Sequence, residues 1–237
     1  MKPYILLDLS ADRRKRKRQL RNIDTTVPLR SQGRTTDHTE IYSIVWMLRI
    51  APPLQLTYPL QVIHDDRPDF VLSSVGIRVG VEVTEAVSAN TASMDNLRET
   101  ELGLTEGHST FYFQRKATPG EDKINCSILR EMIRENTPGE PWVGTGAEDW
   151  AAAISYFVSE KVVKSGKLGF RQYDLNWLLI YDNWDEPALR QDLADEALFQ
   201  HLQAMAAFDT FDRVLVLDGQ ELASFTAIGN QRWRRPW

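Results

Sequence analysis

Apolar and polar positions along the chain change period several times, and each change marks an element. Residues 4–9 read as a short strand, whereas residues 12–33 carry too little apolar periodicity to define an element and read as an arm. Past Asp37, a helix-capping residue type, Ile41, Ile44, Val45 and Leu48 recur at helical spacing until Pro52 and Pro53 end the run. Residues 60–63, 69–73 and 79–85 are short and rich in β-branched side chains, and the turn residues between the last two predict a hairpin. Thr145 and Glu148 have the spacing of a capping box that opens a helix through about Lys164. Residues 175–181 form an apolar run of strand length, 185–208 an amphipathic helix, and 214–217 a last buried strand. The order is helix, three strands, helix, strand, helix, strand. That order defines an α/β fold, and the alternation in its second half requires crossover connections and parallel pairing. Residues 88–144 are polar, contain Pro119-Gly120 and Pro138-Gly139, and hold one predicted helix near 121–134. We read residues 1–35 as an arm and 36–237 as one domain with an insertion at about 88–144.

Composition narrows the class. With 237 residues, 42% of them hydrophobic and 26% charged, the chain has the material for a buried core and is not disordered as a whole. The single cysteine, Cys126, excludes an intramolecular disulfide and a cysteine-rich zinc site. No apolar run approaches the ~18 residues of a membrane span, and residues 4–7 are too few for a secretory signal, so the expectation is a cytoplasmic protein with no membrane partner. The net charge of −5 conceals an asymmetry: residues 1–50 hold eleven Lys or Arg against five acids. Arg13, Arg14, Lys15, Arg16, Lys17 and Arg18 are consecutive, and Arg232, Arg234 and Arg235 flank Trp233 near Trp237. A basic arm on an acidic body can hold phosphates, which makes nucleic acid the expected partner; the competing reading is a solvated charge run. The four histidines show no metal-ligand spacing, and neither a phosphate-cradling glycine loop nor a serine elbow is present.

The chemistry concentrates in Arg67-Pro68-Asp69-Phe70 and Gly80-Val81-Glu82-Val83-Thr84-Glu85. A hairpin folding Asp69 back on Glu82 brings two carboxylates together. Side-chain alternation puts Glu82 and Thr84 on one face, with Val81, Val83 and Glu85 on the other. A carboxylate among valines in an interior strand is costly to bury unless paired or bound to a cation, and one divalent metal would satisfy both acids. The alternatives are structural: Asp69 as a turn residue, Glu82 paired with Arg78, and Glu40 as the capping-box acid three residues after Asp37.

These residues, with the helix before them and the helix and strand after, resemble the PD-(D/E)xK nuclease superfamily over most of the chain outside the arm and insertion. The resemblance implies a restriction-endonuclease-like core, a central mixed sheet flanked by helices in the order α-β-β-β-α-β, here with an extra C-terminal helix and strand. It implies Mg²⁺ (or Mn²⁺) held by Asp69, Glu82 and the carbonyl of Val83, with Glu40 as the acid of the first helix. The implied activity is phosphodiester hydrolysis, on DNA ahead of RNA, with a homodimer or larger complex left open. The chain departs from the pattern at Thr84, which stands where the family carries its lysine and cannot supply a positive charge. Lys161 is the expected replacement, because it lies on the helical stripe of Ile154, Phe157 and Val158; Lys164 is the second choice and Lys116 the third. A catalytically inactive module of the same fold, binding nucleic acid or a protein, is the alternative.

Overall fold

The computed structural model describes residues 2–51, 54, 56–101, 116–135, 146–166, 173–186 and 189–234. They build one eight-stranded sheet whose spatial order follows the chain: β1 (Tyr4–Leu9), β2 (Leu60–His64), β3 (Phe70–Ser74), β4 (Ile77–Ala86), β5 (Leu175–Asp182), β6 (Arg213–Asp218), β7 (Glu221–Thr226) and β8 (Gly229–Arg234). All neighbours are antiparallel except β4–β5 and β5–β6, which are parallel. The helices are α1 (Arg13–Asn22), α2 (Thr36–Ile50), α3 (Ala89–Glu101), α4 (Cys126–Glu135), α5 (Ala147–Ser165) and α6 (Gln191–Ala204). The expected α/β class with a mixed sheet between helices is what forms. Helices α5 and α6 lie in the two crossovers that the parallel pairs require.

Alternation along the central strands sorts side chains onto two faces. Val79, Val81, Val83, Trp177, Leu179 and Leu215 join Ile44, Val45 and Leu48 of α2 in one core. On the other face, Ala86, Leu178, Ile180, Val214 and Val216 pack on Trp150, Ile154 and Val158 of α5 and on Leu198 and Leu202 of α6. Helices α3 and α4 meet through Met94, Leu97 and Leu129, a small cluster of their own.

Four elements were absent from the sequence reading, each for a physical reason. Helix α1 occupies part of the stretch read as an arm. Only Leu20 is buried in it, and its anchors are polar: Asp12 caps Lys15 N–H at 2.7 Å, and Gln19 bonds Ser10 N–H and the Asp8 carbonyl at the end of β1. Helix α3 carries three buried residues in thirteen. Strand β8, Gly-Asn-Gln-Arg-Trp-Arg, is an edge strand with no buried residue, and β7 alternates weakly because Ala223 and Ser224 are small. Helix caps also differ from expectation. The α2 box is formed by Thr35 and His38, two residues before the expected Asp37, which leaves Glu40 free of capping duty. Helix α5 starts after Gly146, in the left-handed region at φ 65°; Thr145 falls outside the described residues, as do Pro52 and Pro53. Helix α6 begins at Gln191 rather than near 185.

If α1 is an integral helix, Leu20→Ala should lower unfolding free energy by about 2 kcal/mol, the lower range for a buried leucine. Urea denaturation followed by tryptophan fluorescence measures it; no change is the result expected of a loose arm.

Candidate active site

The β3–β4 hairpin sets the first part of the site. Phe70 lies opposite Val81, so Asp69, one residue earlier, faces Glu82, one residue later, and opposite residues of an antiparallel pair project to the same face. Asp69 Oδ2 accepts a hydrogen bond from Val83 N–H at 2.6 Å, which locks the acid against β4. A residue's N–H and C=O point to the same side of its strand, so the Val83 carbonyl also faces the Asp69 side, beyond the last paired residues of β3. Gly80 allows this close packing: a Cβ there would stand 2.7 Å from the Tyr173 ring and 3.2 Å from Pro68.

The second part comes from α5. Lys161 reaches down from the helix, and its Nζ donates to Glu82 Oε2 at 3.0 Å, with both side chains about four-fifths buried (18% and 17% exposed). Two acids share one lysine, and the imbalance appears in Asp69. Burial, then the neighbouring Glu82 charge, push its carboxyl up to about 7, against the opposing pull of Lys161 and the Val83 N–H. A half-buried acid held partly protonated at neutral pH beside a second carboxylate is an arrangement that a cation would relieve.

Glu40 is placed elsewhere. It lies on the α2 side of the sheet, where its Oε2 meets Nε2 of the buried His64 at 3.0 Å, while His64 Nδ1 meets the Tyr4 hydroxyl at 2.9 Å. The Glu40 hydrogen bond raises the His64 pKa, helped by the charges of Asp37 and Asp69. The His64 ring stacks on Phe70, the residue after Asp69, at 4.7 Å. Asp37, Glu40 and His64 bring ligand atoms within 4.8 Å of one another and could hold a metal ion. The spacing of the four histidines gave no sign of this group, because its other two ligands are carboxylates. Its signal lay elsewhere: His64 continues the inward positions Leu60 and Val62, and Asp37 and Glu40 are spaced i, i+3 on a helix.

The remaining candidates are dispersed. Thr84 is half-buried on β4, Lys164 is exposed and near Glu160 at 3.9 Å, and Lys116 pairs with Asp149. Glu82 does not pair with Arg78, whose guanidinium lies 5.1 Å from the Tyr173 ring. Asp65 receives the Asp66 N–H in the loop before Asp69. His38 caps α2, His201 pairs with Glu148, and Arg232 and Arg234 pair with Glu221. Trp233 packs against the α2-side core; His108, Arg235 and Trp237 lie outside the described residues. Of the basic run, Arg16 folds inward over the Tyr58 ring at 3.8 Å and bonds two carbonyls. Arg13, Arg14, Lys15, Lys17 and Arg18 are exposed and form no ion pair with a described residue. Among the described residues no helix is long and apolar enough to cross a membrane. No protein-family model, curated protein or solved structure matches the chain, so the site is read from its geometry.

The raised Asp69 pKa gives a signed prediction. The folded chain keeps this proton to about pH 7 and the unfolded chain only to about 3.8, so this group's contribution to stability falls as pH rises through that window. Asp69→Asn, whose amide oxygen can still accept from Val83, should be more stable than the parent above pH 7 without divalent metal, by on the order of 1–2 kcal/mol. The difference should vanish below pH 4 in chemical denaturation; a pH-independent difference would show that Asp69 ionises normally.

Proposed function

We propose that the protein is a metal-dependent nuclease that hydrolyses phosphodiester bonds in DNA. The observation that carries this reading is the convergence of Asp69, Glu82 and Lys161, two carboxylates and one amine delivered by a hairpin and a helix 79 residues apart. The order α2, β2, β3, β4, α5, β5 agrees with the restriction-endonuclease-like core that the sequence resemblance implies. The amine, missing at Thr84, is supplied to the same acid from α5.

The donor set fits a hard divalent cation: Asp69 and Glu82 carboxylates and the Val83 carbonyl are oxygen ligands, and the acid pair is left short of positive charge. Mg²⁺ or Mn²⁺ held there would supply Lewis-acid stabilisation of the scissile phosphate and a more acidic bound water. Asp69 Oδ2 accepts from Val83 N–H, so Oδ1 is the oxygen that would be available to a cation. Lys161, fixed by Glu82, keeps further N–H donors that would orient the attacking water and offset the charge that grows on the phosphate in the transition state.

Affinity for a polyanion is supported by α1. Arg14, Lys17, Arg18 and Arg21 are exposed at i, i+3, i+4 and i+7, a stripe of like charges that costs helix stability until an anion lies against it. The second reading is a non-catalytic module of this architecture that binds nucleic acid, favoured by the threonine at position 84.

Plasmid DNA incubated with Mg²⁺ or Mn²⁺ should be nicked or degraded, and EDTA should stop it. Asp69→Ala and Glu82→Ala should abolish cleavage. Lys161→Ala should lower single-turnover rate by roughly 10²-fold or more with folding intact, while Thr84→Ala changes it little. Full activity in the two acid variants would place the chemistry elsewhere, and binding without cleavage would select the non-catalytic module. Replacing Arg14, Lys17, Arg18 and Arg21 with alanine should weaken DNA binding uniformly across sequences and flatten its salt dependence.

A further inference from the structure

A second cationic feature lies at the same end of β4, on the opposite face from Glu82. Glu85 shares the parity of Val81 and Val83, and its Oε1 accepts three hydrogen bonds: from Arg30 at 3.0 Å, Arg34 at 2.7 Å and Asn183 at 2.8 Å. A single carboxylate oxygen therefore fixes two guanidinium groups, whose side chains are 19% and 14% exposed. With Ala92, Ser93 and Asn96 of α3 they line an open cleft of about 320 Å³.

The hydrogen-bonding capacity of this cleft is mostly unspent. A guanidinium has five N–H donors. Among the described residues Arg34 uses one of its groups, on Glu85, and meets no other acid. Arg30 has Asp95 only at 3.9 Å, beyond hydrogen-bond length. The Asn96 side-chain amide forms no hydrogen bond with a described residue, and the Ser93 hydroxyl, which donates to Ala89, keeps its lone pairs. Planar, pre-positioned guanidinium forks match tetrahedral oxyanions in geometry, and their weak hydration lets them bind in a half-buried wall. The cleft is open on one side, as a polymer backbone requires and a small enclosed ligand does not.

We infer that this cleft binds a backbone phosphate of a nucleic acid, with Arg34 and Arg30 as its cationic wall, Asn96 as a neutral donor, and Glu85 as the positioning residue that holds the two arginines. Its relation to cleavage rests on the nuclease reading. Glu85 is three residues past Glu82 on β4, with its side chain on the opposite face of the sheet. On that reading the cleft would grip a stretch of backbone that passes round the end of β4, not the phosphates beside the scissile one.

The test is fluorescence anisotropy of a labelled oligodeoxynucleotide in EDTA, where no cleavage can occur, titrated at several salt concentrations against the parent, Arg34→Ala and Asn96→Asp. Arg34→Ala should lower the slope of log K against log salt by about one, to the same extent on unrelated sequences. Asn96→Asp puts an anion into the cleft from the exposed face of α3 without touching Glu85, and should weaken binding in the same way even if Arg34→Ala fails to fold. Inorganic tripolyphosphate is the second probe: it should raise the melting temperature of the parent and not that of Asn96→Asp. Unchanged affinity and slope in folded variants, or no response of the parent to either probe, overturns the inference. Phosphate binding lost in the variants of a protein that never cleaves DNA would keep the cleft and discard the nuclease reading. Metal-dependent cleavage with binding indifferent to both substitutions would do the reverse.

Discussion

The parallel pairing of β4 with β5 is the constraint on which the rest of the structure depends. Eight residue pairs, from Val79–Leu175 to Ala86–Asp182, join these strands at the middle of the sheet. Parallel neighbours cannot be joined by a tight turn, so the chain leaving β4 has to cross a face of the sheet before returning. Helix α5 lies in that crossover, its Trp150, Ile154 and Val158 stripe buried on Leu178 and Ile180. Lys161, one turn beyond Val158, then stands above Glu82, which the same pairing places opposite Leu178. The contact that completes the candidate site is thus a consequence of sheet topology and helix length, not of local sequence.

Charge distribution at that end of the sheet follows from the same frame. Glu82 and Asp69 face α5, whereas Glu85 and the His64–Glu40 pair face α2, and each acid recruits a different base. Lys161 neutralises Glu82, Arg30 and Arg34 neutralise Glu85, and His64 takes Glu40. Asp69 alone of this group has a main-chain N–H and no cationic side chain in contact, and its carboxyl is the one pushed up to about 7. The residual demand for positive charge falls where a divalent cation would link the two acids, whereas the basic α1 and the two arginines on Glu85 belong to the α2 face.

What the sequence disclosed followed burial. Strands β2 to β6 and helices α2 and α5 bury regular apolar stripes, and each was legible to within a few residues. Of the elements with few buried side chains, α4 was anticipated near 121–134, but α1, which rests on Leu20 and on Gln19 and Asp12, and β8, completed by hydrogen bonds from β7 rather than by its own side chains, were not. Among site residues, Asp69, Glu82 and Lys161 were legible because a hairpin and a helix stripe are short-range patterns. Glu40 was legible as an inward acid but not as the partner of His64, 24 residues away, since pairing across a helix and a strand is settled by packing. The Glu85 hub joining Arg30, Arg34 and Asn183 spans 98 residues and leaves no local pattern to read.

Calorimetric titration of the protein with Mn²⁺ at pH 6, in two buffers of different ionisation enthalpy, probes the acid pair most directly. Asp69 keeps its proton up to about pH 7, so cation binding between Asp69 and Glu82 has to release it. The expected result is a binding event whose heat differs between buffers by close to one proton and which is lost in Asp69→Asn, whether or not a separate event arises at Asp37, Glu40 and His64. Binding that is absent, or that persists unchanged in Asp69→Asn, would contradict a metal centre at this pair.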